Sequence, residues 1–121
     1  MAYKYYNSNP NNYHIPDCVI RAITLTTGLN YYDVIKLLNE NGKHFNCDAL
    51  CICCYEKLLD FDFGFPHYLG NNKTAMEVAQ DFPTKTLLLR MDGHLSSSIN
   101  GIIYDIFDCG DEIITDFWIV N

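Results

Sequence analysis

The spacing of apolar positions predicts helices in the first two thirds of the chain and strands in the last third. Residues 1–16 carry no period, and Pro10, Pro16 and the run Asn9–Pro10–Asn11–Asn12 predict an extended loop. Asp17 is a suitable N-cap for a helix from Cys18 to Thr27. There Cys18, Ala22 and Leu25 recur at helical spacing with Val19, Ile23 and Thr26, and Gly28 is the stop. Asn30 caps a second helix, Tyr31 to Asn41, with Val34, Leu37, Leu38 and Asn41 on one side and Gly42 as its stop. A third helix is predicted from about Cys47 to Leu59, before the break at Gly64–Phe65–Pro66. A short fourth, Thr74 to Asp81, ends at Pro83.

The period then changes. Thr86 to Met91 is a strand of buried character, and Asp92–Gly93 is a turn dipeptide. His94 to Ile99 and Ile102 to Phe107 are strands joined by Asn100–Gly101, which suits a two-residue type I′ hairpin. Cys109–Gly110–Asp111 turns the chain into a last strand, Asp116 to Val120. Helices followed by an antiparallel β-meander predict an α+β fold. No repeat, linker or low-complexity tract interrupts it, so residues 1–121 form one domain.

Charge narrows the partners. Asp and Glu number 15 against 8 Lys and Arg, a net charge of −7. Nucleic acids and anionic membranes call for a basic footprint, and Arg21 and Arg90 are the only arginines. No run approaches the ~18 apolar residues of a membrane span. The opening MAYKYYNSNPNNYH has no apolar core of a signal peptide, so a cytoplasmic location is expected. That compartment is reducing and makes disulfides unexpected, although there are six cysteines.

Cys47, Cys51 and Cys54, with His44 and Leu58 in line, form one stripe of the predicted third helix. A zinc site would draw on that stripe. Yet residues 47 and 54 would lie ~10 Å apart along the axis, too far for one tetrahedral ion. The stripe therefore reads as core packing, with zinc as the alternative, and no metal or cofactor is expected. Cys53 is off the stripe, and neither it nor Cys109 is assigned a role. His14 and His67 fall in predicted loops and read as solvated. Tyr31–Tyr32, Phe61–Phe65 and Phe117–Trp118 read as core or edge aromatics. Asp108, Asp111 and Glu112 around the Asp105 turn lack the spacing of a calcium loop.

Cys18 stands apart. It opens a helix, where free N–H groups and the positive end of the helix dipole favour a thiolate, with the Asp17 carboxylate partly opposing. If Asn100–Gly101 form the turn, paired residue numbers sum to 201. His94 then lies opposite Phe107, Ser96 opposite Asp105, and Asp105 diagonal to His94 on one face. A carboxylate there fixes the imidazole tautomer, completing a nucleophile–base–orienter set of Cys18, His94 and Asp105. Asp108 is the alternate orienter.

A cysteine opening the first helix, then histidine and aspartate on neighbouring strands, resembles the papain-like cysteine peptidase superfamily. Asp17–Cys18–Val19–Ile20–Arg21–Ala22–Ile23 is similar to the start of its bacteriocin-processing branch. Ile103–Tyr104–Asp105–Ile106–Phe107 resembles the strand in which the orienting residue precedes an aromatic by two. Over roughly its full length the chain is similar to small phage and bacterial proteins with a DCVIRAI start and a GH…YDxWD ending. The resemblance implies a minimal papain-like fold and a thiol hydrolase of peptides, isopeptides or other amides, working through a thioester. It places Asn12, six residues before Cys18, in the oxyanion hole, where the superfamily has a longer Gln. The competing reading is an inactive papain-like binding module, for instance a phage protein that inhibits a host factor. An open cleft at Cys18 favours the enzyme, and a Cys18 buried behind side chains favours the binder. Neither reading fixes the oligomeric state.

Overall fold

The computed structural model describes residues 3–121. Its elements follow in the order β1 (Tyr3–Tyr5), α1 (Cys18–Thr27), α2 (Tyr31–Phe45), α3 (Ile52–Lys57), a π-helical turn (Leu58–Asp62), β2 (His67–Leu69), α4 (Ala75–Asp81), β3 (Thr86–Met91), β4 (His94–Ile99), β5 (Ile102–Asp105) and β6 (Ile114–Ile119). The fold is α+β, built on one six-stranded mixed sheet ordered β1-β5-β4-β3-β6-β2.

The predicted hairpin is present. Ile99 pairs with Ile102, Ser98 with Ile103 and Ser97 with Tyr104. Asn100 and Gly101 both take positive φ, 52° and 80°, as a type I′ turn requires. The meander stops at three strands. β6 does not join β5 but pairs with the other edge of β3, Leu88 opposite Trp118. The reason lies in the Leu87–Leu88–Leu89 run, which is buried on both faces and belongs to an interior strand with a neighbour on each side. The free edge of β5 is taken by β1, in parallel, with Tyr5 beside Asp105. The loop predicted for residues 1–16 thus contains a short strand at Tyr3–Tyr5. β2, also read as loop, pairs antiparallel with β6.

Both faces of the sheet are covered. Leu88, Leu95 and Trp118 meet Ile23, Val34, Leu38, Tyr55, Leu58 and Leu59 of the first three helices and the π-helical turn. On the other face Leu87, Leu89, Ile103, Ile114 and Phe117 pack under Val78 and Ala79 of α4. Side chains alternate along a strand, so the leucine run serves both cores. α4 is closed by a capping box, in which Thr74 Oγ1 accepts from Glu77 N and Glu77 accepts from Thr74 N.

Two helix boundaries differ from the sequence reading. Gly42 does not stop α2, which runs to Phe45 and closes on Asn46 in the left-handed region. Gly42 instead admits a close neighbour: a Cβ there would stand 2.9 Å from the Cys47 carbonyl oxygen. The third helix begins at Ile52, not Cys47. Asp48 Oδ1 accepts from Leu50 N at 3.1 Å, a local turn that competes with helix. The chain therefore doubles back between 47 and 54, and the supposed axial separation of these residues disappears. Their Cα atoms are 5.7 Å apart and their sulfurs form a disulfide. This overturns both the disulfide-free expectation and the reading of Cys47, Cys51 and Cys54 as one packed stripe. The zinc alternative loses its premise with them.

Candidate active site

Cys18 is the first residue of α1, as its position after Asp17 predicts. Asp17 does not cap the helix with its side chain. Its carboxylate turns inward, accepting from Arg21 Nε at 2.6 Å, Tyr31 Oη at 2.6 Å and Asn9 Nδ2 at 3.0 Å. Burial pushes the Asp17 carboxyl up, but these hydrogen bonds hold it below its ordinary value. The charge expected to oppose a Cys18 thiolate is thus spent on Arg21.

Arg21 carries the network onward. It is buried, and its Nη1 donates to Asp105 Oδ1 at 3.2 Å. Asp105 also accepts from its neighbour Ile106 N at 2.7 Å on Oδ1, and from Ser96 Oγ at 2.6 Å on Oδ2. His94 Nε2 lies 2.6 Å from Asp105 Oδ2. Burial works against the Asp105 carboxylate, but the bonds from His94 and Ser96 hold it below its ordinary value. β4–β5 pairing ends at Ser97 opposite Tyr104, so His94 has no ladder partner in β5. The side chains still meet as the extrapolated register predicts, and the Phe107 ring lies 4.9 Å from that of His94.

The remaining link is sulfur to imidazole. Burial pushes the Cys18 thiol up, but hydrogen bonding to His94 and to the Leu95 backbone, with the imidazolium charge, holds it below its ordinary value. Burial pulls His94 down, yet its bonds to Asp105, Cys109 and Cys18 push it up to about 11. These opposite shifts favour a thiolate paired with an imidazolium over two neutral groups. The pair borders a cleft of about 240 Å³ whose walls include Val19, Leu50, Ile52, Tyr55 and Arg90. Cys18 is partly exposed there rather than sealed behind side chains.

Cys18, His94 and Asp105 are therefore brought together. Asp108 is not: it is exposed, and its Oδ1 accepts from Gly110 N at 2.9 Å within its own turn. Asn12 is exposed on a turn at φ 56° and is not among the cleft-lining residues. The nearby buried asparagine is Asn9, whose amide is committed to Asp17 and Tyr31.

Arg21, Ser96, Tyr31 and Cys109 are parts that sequence reasoning missed. Arg21 had a signal, a lone cation inside Val19–Ile20–Arg21–Ala22–Ile23, four residues after Asp17. Cys109 had none. It is 1% exposed, and its Sγ lies 3.9 Å from Asp105 Oδ2. His67 is also not a solvated loop residue. It stacks on Trp118 with centroids 4.2 Å apart, and its Nδ1 lies 3.1 Å from Asp60 Oδ1. Its Nε2 bonds Asp116, whose Oδ1 is 2.6 Å from Arg90 Nε. That set ties the π-helical turn to β2, β3 and β6. His14 is exposed, as expected, and its Nε2 lies 2.9 Å from Tyr5 Oη.

Among the described residues no helix is long and apolar enough to cross a membrane. No protein-family model, curated protein or solved structure matches this chain.

Proposed function

We propose that the chain is a cysteine-dependent amide hydrolase of papain-like layout, acting on a peptide or protein substrate. The observation that carries this reading is the His94 imidazole bonded to the Asp105 carboxylate and facing, together with Cys18, the same open cleft. The cleft favours the enzyme over an inactive binding module.

In this reading the proton has already moved in the resting protein. Cys18 Sγ attacks the substrate carbonyl as a thiolate, and the α1 N-terminus with the Cys18 N–H faces the developing oxyanion. His94 then gives its proton to the leaving amine, leaving a thioester on Cys18. It next takes a proton from the water that cleaves the thioester, which frees the acid product and restores the thiolate–imidazolium pair. Asp105, itself fixed by Arg21 and Ser96, keeps the ring aligned through both transfers. Cytoplasmic location belongs to the same proposal. The Cys47–Cys54 disulfide weighs toward an oxidising setting or a reversible bond.

Alkylation with iodoacetamide across pH checks the nucleophile. Cys18 should react at pH 6–7 at a rate that an ordinary thiol, with a pKa of ~8.5, reaches only at higher pH. His94→Ala should return Cys18 to ordinary behaviour. A Cys18 that titrates like a free thiol in the native protein would sink the assignment.

A further inference from the structure

Four cysteines crowd into eight residues of the segment that carries the cleft-lining Leu50 and Ile52, and only two of them are bonded to each other. Cys47 and Cys54 form the disulfide, while Cys51 and Cys53 remain free thiols. The two free sulfurs lie 3.0 Å apart. Cys53 is exposed and Cys51 partly so, so both can be reached from solvent. The backbone holds them in this position. Cys51 is extended at φ −78°, ψ 141° as the residue before α3, and Cys53 sits in the first turn of that helix. Leu50 and Ile52, interleaved with them, face the cleft.

We propose that Cys51 and Cys53 form an oxidisable dithiol that takes low-molecular-weight disulfides of the glutathione class and closes to a second disulfide around the cleft-lining Ile52. Closing the bond takes the sulfurs from 3.0 Å to ~2.05 Å, a movement that side-chain rotation supplies. Cys51 attacks first. Hydrogen bonding to Cys53 holds its thiol below the ordinary value, and the same contact pushes Cys53 up. The Cys51 thiolate bonds to one sulfur of oxidised glutathione and expels one glutathione thiolate, which takes up the Cys51 proton. Cys53 then attacks Cys51 Sγ, its own proton leaving with the second glutathione. The sum is one protein disulfide and two glutathione thiols from one dithiol and one disulfide. The ring so formed spans Ile52.

The experiment incubates the full chain with oxidised glutathione, blocks remaining thiols and maps the segment from His44 to Lys57 by mass spectrometry without reduction. The expected wild-type product has two disulfides within this segment and no retained glutathione. Cys53→Ser should trap one glutathione on Cys51, and Cys51→Ser should leave Cys53 free. Retained glutathione on the wild-type segment, or a segment that keeps both thiols while Cys18 takes the adduct, overturns the proposal. None of these readouts uses hydrolysis, so failure here leaves the reading of Cys18 as a nucleophile standing.

Discussion

At the scale of single residues, the site is a relay of charges in which each member settles the protonation of the next. Tyr31 and Arg21 fix Asp17, Arg21 and Ser96 fix Asp105, and Asp105 fixes His94. Buried charges persist only when they are paired and hydrogen-bonded, and here every one has a partner. Asp105→Asn removes the carboxylate that stabilises the imidazolium. The pH midpoint for Cys18 alkylation should then rise toward that of a free thiol, and thioester formation should slow by about 10²–10⁴-fold. A pH–rate profile of alkylation on wild type and variant checks this. An unchanged midpoint would mean that Asp105 only supports the fold. Cys18 and His94 were legible as single residues because a helix start and a turn-bounded strand are local signals. Asp105 was legible through the Asn100–Gly101 turn, which fixes pairing. Its preference over Asp108 was not, because it depends on where the β4–β5 ladder ends and on Arg21 reaching across from α1.

At the scale of elements, the hairpin and the Asn30 and Thr74 caps follow from local chemistry, whereas the end of α2 and the start of α3 follow from neighbours. Gly42 looked like a stop because glycine tolerates the left-handed conformation. In the folded chain it is helical, and the absence of a side chain matters instead. Gly42→Ala raises intrinsic helix propensity by up to ~1 kcal/mol. It also drives a methyl group to 2.9 Å from a backbone oxygen that cannot rotate away. Overpacking should win, with a net loss of about 1–3 kcal/mol in urea unfolding. A stabilised variant would show that the 46–49 turn is free to move. The segment from Cys47 to Cys51 misled for a related reason. Its 3–4 spacing is helical, but Asp48 offers the backbone a turn, and the disulfide and the dock against Gly42 both use that turn.

At the scale of the whole molecule, one sheet separates two cores and the candidate site bridges the first helix to the middle of the sheet. Asp17 and Asp105 both titrate below their ordinary range in the fold. Carboxyl groups depressed in this way contribute stability at pH values above the unfolded value of ~3.9. That contribution is lost as pH falls through their folded values. Stability should therefore fall steeply below about pH 4. Trp118, the one tryptophan and fully buried between strands and helices, reports this transition by fluorescence. Its midpoint should coincide with loss of the far-ultraviolet circular dichroism signal, because both cores share the sheet. An early fluorescence change would instead mark separate unfolding of the helical face.

The sequence by itself determined the α+β class, the positions of α1 and of the three strands β3 to β5, the tight turn at Asn100–Gly101, and the order Cys18, His94, Asp105. Each of these rests on periodicity, caps or turn chemistry, which act over a few residues. Tertiary structure alone decided that β6 crosses to the far edge of β3 and that β1 adds a parallel strand. It also decided that His67 lies against Trp118 and that Asn12 stays away from the cleft. These depend on which edges and faces remain to be buried once the local elements have formed. The cysteines show the division most plainly. Their spacing in the chain implied one helix face, and only the fold, by turning the backbone at Asp48, bonded Cys47 to Cys54 and set Cys51 beside Cys53.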